Sequence, residues 1–301
     1  MTRSITVGLD GSPQSRAAAE WAAREAELRG LAVRLVQVRE PVPEPMAQLP
    51  LRGTETHQRW TERIGREAAE GLRLRHPGVR VTVERLSGRR PAEALVRAAR
   101  DDELLVLGSR GLSGVGGFLA GSVGLAVVAS AERPVVLVRA GEQNTDGREE
   151  PADVRAAAAS RRPVLLGLDI GGPDPDLIEF AFEEAARRKA PLRVLYGCNL
   201  PAFYGYAMAP VAEVSGMMAQ SNTDALNEAL RPWRQKYPDV ETTAESRFGS
   251  PSFLMVEAAR EASLVVVGRR IRRASVGTRI GSVTHALLHH ATVPVAVVAH
   301  D

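Results

Sequence analysis

The chain repeats itself. Pro91, Gly108, Gly121, Ser122 and Pro134 recur as Pro251, Gly268, Gly281, Ser282 and Pro294, each pair 160 residues apart, while Trp21 with Phe180 and Arg34 with Arg193 keep an offset of 159. A period of that length is far beyond the roughly 20–50 residues of a solenoid repeat, so each copy is expected to fold around its own core. With 301 residues, 44% of them hydrophobic, there is material for two domains of about 150 residues. The expected division is a first domain at 1–140, a linker at 141–161 marked by Gly, Glu, Asp, Asn and an Ala-rich run, and a second domain at 162–301.

Within the first copy, apolar runs alternate with helical patterns. Strands are predicted at 5–9, 33–38, 79–84, 104–107 and 134–138, and helices at 14–29, 56–75, 91–100 and 123–130. Strand and helix in strict alternation imply parallel βαβ units, and hence a doubly wound, Rossmann-like α/β domain: a five-stranded parallel sheet flanked by helices. The ligands of such sheets sit at the carboxyl ends of the strands.

One stretch stands at such an end. Leu104-Leu105-Val106-Leu107 runs into Gly108-Ser109-Arg110-Gly111, nine residues follow, and Gly121-Ser122 opens the next helix. A glycine loop there lets backbone approach a ligand, and the free N–H groups and dipole of the helix start favour a phosphate. No Gly-x4-Gly-Lys-Ser/Thr phosphate loop occurs, and Ser122 lies too far from the strand to be a nucleophile elbow. The His289-His290 pair reads as helix-end surface, since adjacent positions on a helix cannot face one metal ion.

Composition narrows the classes further. The net charge is +3, and the 39 basic residues, all arginine except Lys189 and Lys236, are interspersed with 36 acids, which argues against a nucleic-acid surface. No apolar run approaches the ~18 residues of a membrane span, and a strand pattern directly after Met1-Thr2-Arg3 leads to the expectation of a cytoplasmic protein without a signal peptide. The single cysteine, Cys198, excludes an internal disulfide and is expected to pack rather than react.

The glycine stretch, with Val7-Gly8-Leu9-Asp10-Gly11-Ser12-Pro13 before it and Arg133-Pro134-Val135 after it, resembles the ATP-binding branch of the universal stress protein family, here as two tandem domains. The resemblance implies an adenine nucleotide, ATP with Mg2+, in the first copy. Asp10 is then the carboxylate at the ribose and adenine edge, with Gly8 beside it; Val38 meets the adenine through its backbone, and Leu107 walls the pocket. Gly108 and Gly111 form the loop on ribose and phosphates, and Gly121, Ser122 and Val123 are the triphosphate contacts at the helix start. Arg110, between the two loop glycines, either reaches a phosphate or is a surface charge. The bland alternatives are that Asp10 and Ser122 merely cap helices and that the glycines only turn the chain. The resemblance further implies pairing through the final strands, and so a homodimer.

The second copy departs from the pattern. It reads Gly268-Arg269-Arg270-Ile271, so isoleucine stands where the second loop glycine stood, and Gly197 replaces Val38. If that loop position needs a left-handed backbone, a β-branched residue costs on the order of 1–2 kcal/mol. Asp169, Gly268, Gly281, Ser282 and Val283 remain as a possible second site, expected to be weakened or lost. Phe203, Tyr204, Tyr206, Met208, Met217 and Met218 crowd the region where the first copy has a proline-rich loop, and suit a protein interface, a lid, or cover for the core. Two functions follow: a stress-response regulator in which nucleotide binding gates contact with another protein, or a slow ATPase on the same scaffold. The first is preferred, because no lysine, positioned base or water-orienting residue accompanies the glycine loop.

Overall fold

The first half of the chain alternates as the pattern predicts: β1 (Ser4–Gly8), α1 (Pro13–Arg29), β2 (Ala32–Arg39), α2 (Arg52–Arg75), β3 (Val81–Ser87), α3 (Pro91–Ala98), β4 (Leu104–Ser109), α4 (Ser122–Ser130) and β5 (Val135–Arg139). The second half repeats it with β6 (Val164–Gly167), α5 (Pro175–Arg188), β7 (Leu192–Cys198), α6 (Val211–Lys236), β8 (Thr242–Phe248), α7 (Pro251–Ala259), β9 (Leu264–Arg270), α8 (Ser282–His290) and β10 (Val295–His300). This computed structural model describes residues 3–39, 52–109, 121–140, 162–199, 211–271 and 280–301. Contacts divide the chain into two units, Met1–Gly141 and Glu142–Asp301. The linker at 141–161, Arg110 and Gly111 of the glycine loop, and Phe203, Tyr204, Tyr206 and Met208 lie outside the described residues. Among the described residues no helix is long and apolar enough to cross a membrane.

Every described ladder within each unit is parallel. In the first unit β1 pairs with β2 and β4, β2 continues to β3, and β4 to β5, giving the order β3-β2-β1-β4-β5. The second unit repeats this as β8-β7-β6-β9-β10. Central strands covered on both faces have no polar side, which is why Leu104, Leu105 and Val106 are all fully buried and the run does not alternate. The second core is built likewise on Leu165, Leu166, Leu192 and Leu195, with Phe182 of α5 and Leu226 and Leu230 of α6.

Helix α1 fixes the position of everything at the strand ends. Its buried face is mostly small, Ala18, Ala19, Ala22, Ala23 and Ala26, so its backbone lies close to the sheet. Ser12 caps its start by accepting from the Ser15 N–H, and Gly30 ends it in the left-handed region at φ 66°. At Gly108 a Cβ would lie 2.4 Å from the backbone carbonyl carbon of Gln14, so the first turn of α1 rests directly on the end of β4.

Several boundaries differ from expectation, most by one or two residues, as at β4, which runs on to Ser109, and α3, which stops at Ala98. Strand β3 begins at Val81, not 79: Val79 donates its N–H to the His76 carbonyl at 3.0 Å and belongs to the turn, although the valine alternation runs through it. Helix α2 begins at Arg52, within the segment read as loop, and α4 includes Ser122. His289 is buried rather than at the surface, and its ring also meets that of His285 one turn earlier, 4.3 Å between centroids.

Candidate functional site

From β1 the chain winds outward through β2 and β3, then returns to lay β4 and β5 on the other side of β1. The switch point between β1 and β4 leaves a crevice at the carboxyl ends of the strands. A cavity of about 620 Å³ occupies it in the first unit, and Gly8, Asp10, Val38, Leu107, Gly108, Gly121, Ser122 and Val123 all line it. The fold therefore brings together every described residue of the predicted set.

The cavity changes character across the sheet. Beside β2 it is walled by Val36 and Val38 with Pro91 and Leu95 of α3, and Leu107 of β4 adds a further apolar wall. Asp10, after β1, is exposed and held in place: its Oδ1 accepts from the Ser12 N–H at 2.9 Å and the Ser12 hydroxyl at 2.5 Å. Gly11 turns the chain there at φ +83°, a conformation that side chains rarely adopt. On the β4 side the cavity meets the start of α4, where Gly121 is the N-cap and no side chain caps the first turn. Its free N–H groups and the positive end of the helix dipole are thus available to an anion. Gln14, Ser15, Gln37, Arg39 and Thr61 also line the cavity and were not foreseen. Their places depend on α1 and α2 packing over β2 and β4, a relation between distant segments that no local motif encodes.

The second unit carries a cavity of similar size, about 630 Å³, lined by Asp169, Gly268, Gly281, Ser282 and Val283 among others. Its chemistry differs. Asp169 faces Arg270 at 3.5 Å, so the carboxylate that is bound to a serine in the first unit is here partnered by a guanidinium. The Gly268 α-carbon is covered by the His300 ring, whose Nε2 would lie 2.4 Å from an added Cβ, rather than by helix backbone. Thr284 donates its hydroxyl to the Gly268 carbonyl at 3.1 Å, where the first unit has Gly124. Ile271 is not left-handed: Lys189 is the one non-glycine of positive φ among the described residues. Instead the Ile271 N–H donates to the His300 carbonyl at 2.6 Å. The isoleucine is therefore unstrained, and it adds one bond to β10 just past the end of β9, where a left-handed position was considered. Cys198 and Tyr196 also line this cavity, and burial pushes the thiol and the phenol up from their ordinary ranges. The thiol is thus less able to act as a nucleophile, in keeping with a packing role.

Two doubly wound units, each with a crevice at its switch point, define a tandem Rossmann-like α/β protein. The universal stress protein family model matches residues 1–139 and 160–299, and the chain belongs to that family. A universal stress protein of Mycolicibacterium smegmatis is 32% identical over 305 residues, covering 98% of this chain and 96% of its own. One from Mycobacterium tuberculosis is 31% identical over 310 residues, covering 97% and 94%. Among solved structures, a universal stress protein from Archaeoglobus fulgidus shares the fold with a TM-score of 0.68 at 16% identity, covering 100% of both chains.

Proposed function

We propose that the chain is an adenine-nucleotide-binding regulator whose first cleft holds ATP, and whose bound and empty forms differ in what they offer a partner protein. The observation that carries this reading is the sequence of chemistry along the cleft: apolar walls beside β2, the oriented Asp10 carboxylate at β1, and the uncapped α4 start beside β4. A base stacks against the first, ribose hydroxyls donate to the second, and phosphates accept from the third. In this reading Gly8, Val38, Leu107 and Gly108 form the base and ribose walls, and Gly121, Ser122 and Val123 take the phosphates.

Mg2+ enters on the phosphates. Among the described residues no three His, Cys, Asp or Glu side chains converge on a metal position, so phosphate oxygens and water supply its ligands. The described residues lining the first cleft include Asp10, Arg39 and several hydroxyls, and the regulator reading is preferred because the sequence places no lysine or P-loop at the glycine loop. The same reading makes the protein a cytoplasmic homodimer.

The test is mass spectrometry of the small molecule released when the purified protein is denatured, paired with equilibrium binding of ATP. An adenine nucleotide is expected, and Asp10→Ala should weaken ATP about tenfold or more, as loss of a charged hydrogen-bond acceptor does. Absence of nucleotide together with no measurable ATP binding would sink the proposal.

A further inference from the structure

We infer that Arg39 holds the base: its guanidinium stacks on the face of adenine, so the first cleft grips the nucleoside itself and not only its phosphates. This rests on the adenine-nucleotide reading of the cleft and adds the residue that closes its base end.

Among the described residues lining the first cleft, only Asp10 and Arg39 are charged. Asp10 is tied to Ser12. Arg39 is half-buried, and its guanidinium makes no hydrogen bond and no ion pair among the described residues. Its main chain is pinned, since the Arg39 carbonyl accepts from the Gly88 N–H at 2.9 Å and the residue pairs with Ser87 of β3. A cation without a counterion thus enters a ligand-sized cavity from a fixed backbone.

Where it stands decides what it can meet. Neighbouring strands lie about 5 Å apart, so β2 and β4 are about 10 Å apart across β1. Arg39 and the α4 start therefore address opposite ends of a ligand, and phosphates taken by the helix leave the base to the arginine. Side chains alternate along β2: Gln37 bonds the Thr61 carbonyl of α2, and Arg39, two residues on, leaves the strand on that same face. Val38, between them, leaves on the other face, and both Val38 and Arg39 line the cleft. A base at the end of β2 is thus enclosed by an aliphatic wall on one side and a guanidinium on the other. Adenine carries no anionic atom to pair with that cation, but its π face attracts a planar, weakly hydrated guanidinium. The second unit has Cys198 at the matching position, directly after Gly197, so no cation stands there.

The experiment is equilibrium binding of adenosine and ATP, in about 0.05 M and about 0.5 M salt, to the full chain and to Arg39→Met. The methionine keeps the reach of the side chain and removes its charge and its plane. Arg39→Met should weaken adenosine and ATP by the same factor, about fivefold, at both salt concentrations. The melting temperature of the ligand-free protein should not change, because the substitution breaks no side-chain bond. A loss for ATP about threefold or more beyond that for adenosine, or one that vanishes in high salt, would put Arg39 on the phosphates and overturn the inference. Unchanged affinity for both ligands would overturn it too, as would an equal loss accompanied by a lowered melting temperature, which would assign the effect to the fold. In each of these cases the wild type still binds ATP and the nucleotide reading stands. Wild-type protein that binds neither ligand would instead defeat the nucleotide reading, and this inference with it.

Discussion

At the scale of single residues, the two loop glycines that begin the repeated motif are equivalent in sequence and different in consequence. Gly108 faces the backbone of Gln14 and Ser15, which cannot move without lifting α1 off the sheet, whereas Gly268 faces the His300 ring, a side chain that can rotate away. Gly108→Ala is therefore expected to destabilise the first unit by about 1–3 kcal/mol, the usual cost of overpacking, and Gly268→Ala the second unit by less. Urea titration of the two variants checks this; equal losses would contradict the packing difference. Ser12 is the other residue of consequence, since its hydroxyl both caps α1 and orients Asp10. Ser12→Ala should cost about 1 kcal/mol of stability through the lost cap and also weaken ATP, while Ser12→Asp should keep the cap and place a second carboxylate beside Asp10. Retained ATP affinity in Ser12→Ala would mean that Asp10 needs no orienting.

Among elements, the contact between the first helix and the end of the second shows how far the copies have diverged. In the first unit His76, after α2, lies between Glu27 and Glu20 of α1, 2.9 Å from each, and Arg75 adds a 3.0 Å bond to Glu20. In the second unit Tyr237 takes the histidine's place and stacks on Phe182 with 5.6 Å between ring centroids, and Lys236 pairs with Glu179. Burial opposes the charge on His76, but the hydrogen bonds to Glu20 and Glu27 outweigh it and raise its pKa above 6.5. For Glu20, burial is likewise outweighed by the bonds to His76 and Arg75, and its pKa falls below 4.5. A raised histidine pKa contributes stability that is fully present below pH 6.5 and lost as pH rises through the folded value; a lowered carboxylate contributes stability present above 4.5 and lost as pH falls through its folded value. The staple is thus strongest between those limits. The first unit should lose melting temperature from pH 6 to pH 8.5, and His76→Gln should flatten that slope; a parallel slope in His76→Gln would assign the dependence elsewhere. None of this was legible in the sequence, because Glu20, Glu27 and His76 become neighbours only when α1 and α2 pack. What was legible was set locally. Leu104 to Leu107 reads as a buried strand from its own composition, and the α1 boundaries follow from Ser12 and Gly30. The misplaced start of β3 shows the limit, since Val79, Val81 and Val83 alternate alike and only the register of Val81 against Val33 decides where pairing begins.

At the scale of the whole molecule, two crevices of nearly equal volume need not be two equal sites. In the second unit an arriving phosphate must draw Arg270 from Asp169, and an arriving ribose must draw Asp169 from Arg270, so the ligand competes with an ion pair already present. The pair itself is more than half exposed and contributes little to stability, as exposed pairs do. Backbone is tied as well: the Ile271 N–H bonds the His300 carbonyl, and Thr284 of α8 donates to the Gly268 carbonyl, where the first unit has Gly124 and no hydroxyl. The second cleft has therefore kept the crevice while adding an ion pair at Asp169 and a tie at Gly268, although the start of α8, like that of α4, carries no side-chain cap. Calorimetry of ATP against the full chain should give about one tight site per chain, weakened about tenfold or more by Asp10→Ala and unchanged by Asp169→Ala. Two sites of equal affinity would show that the internal bonds of the second cleft yield to ligand. A single site lost on Asp169→Ala rather than Asp10→Ala would move the binding function to the second unit, and with it the regulatory role proposed for the first.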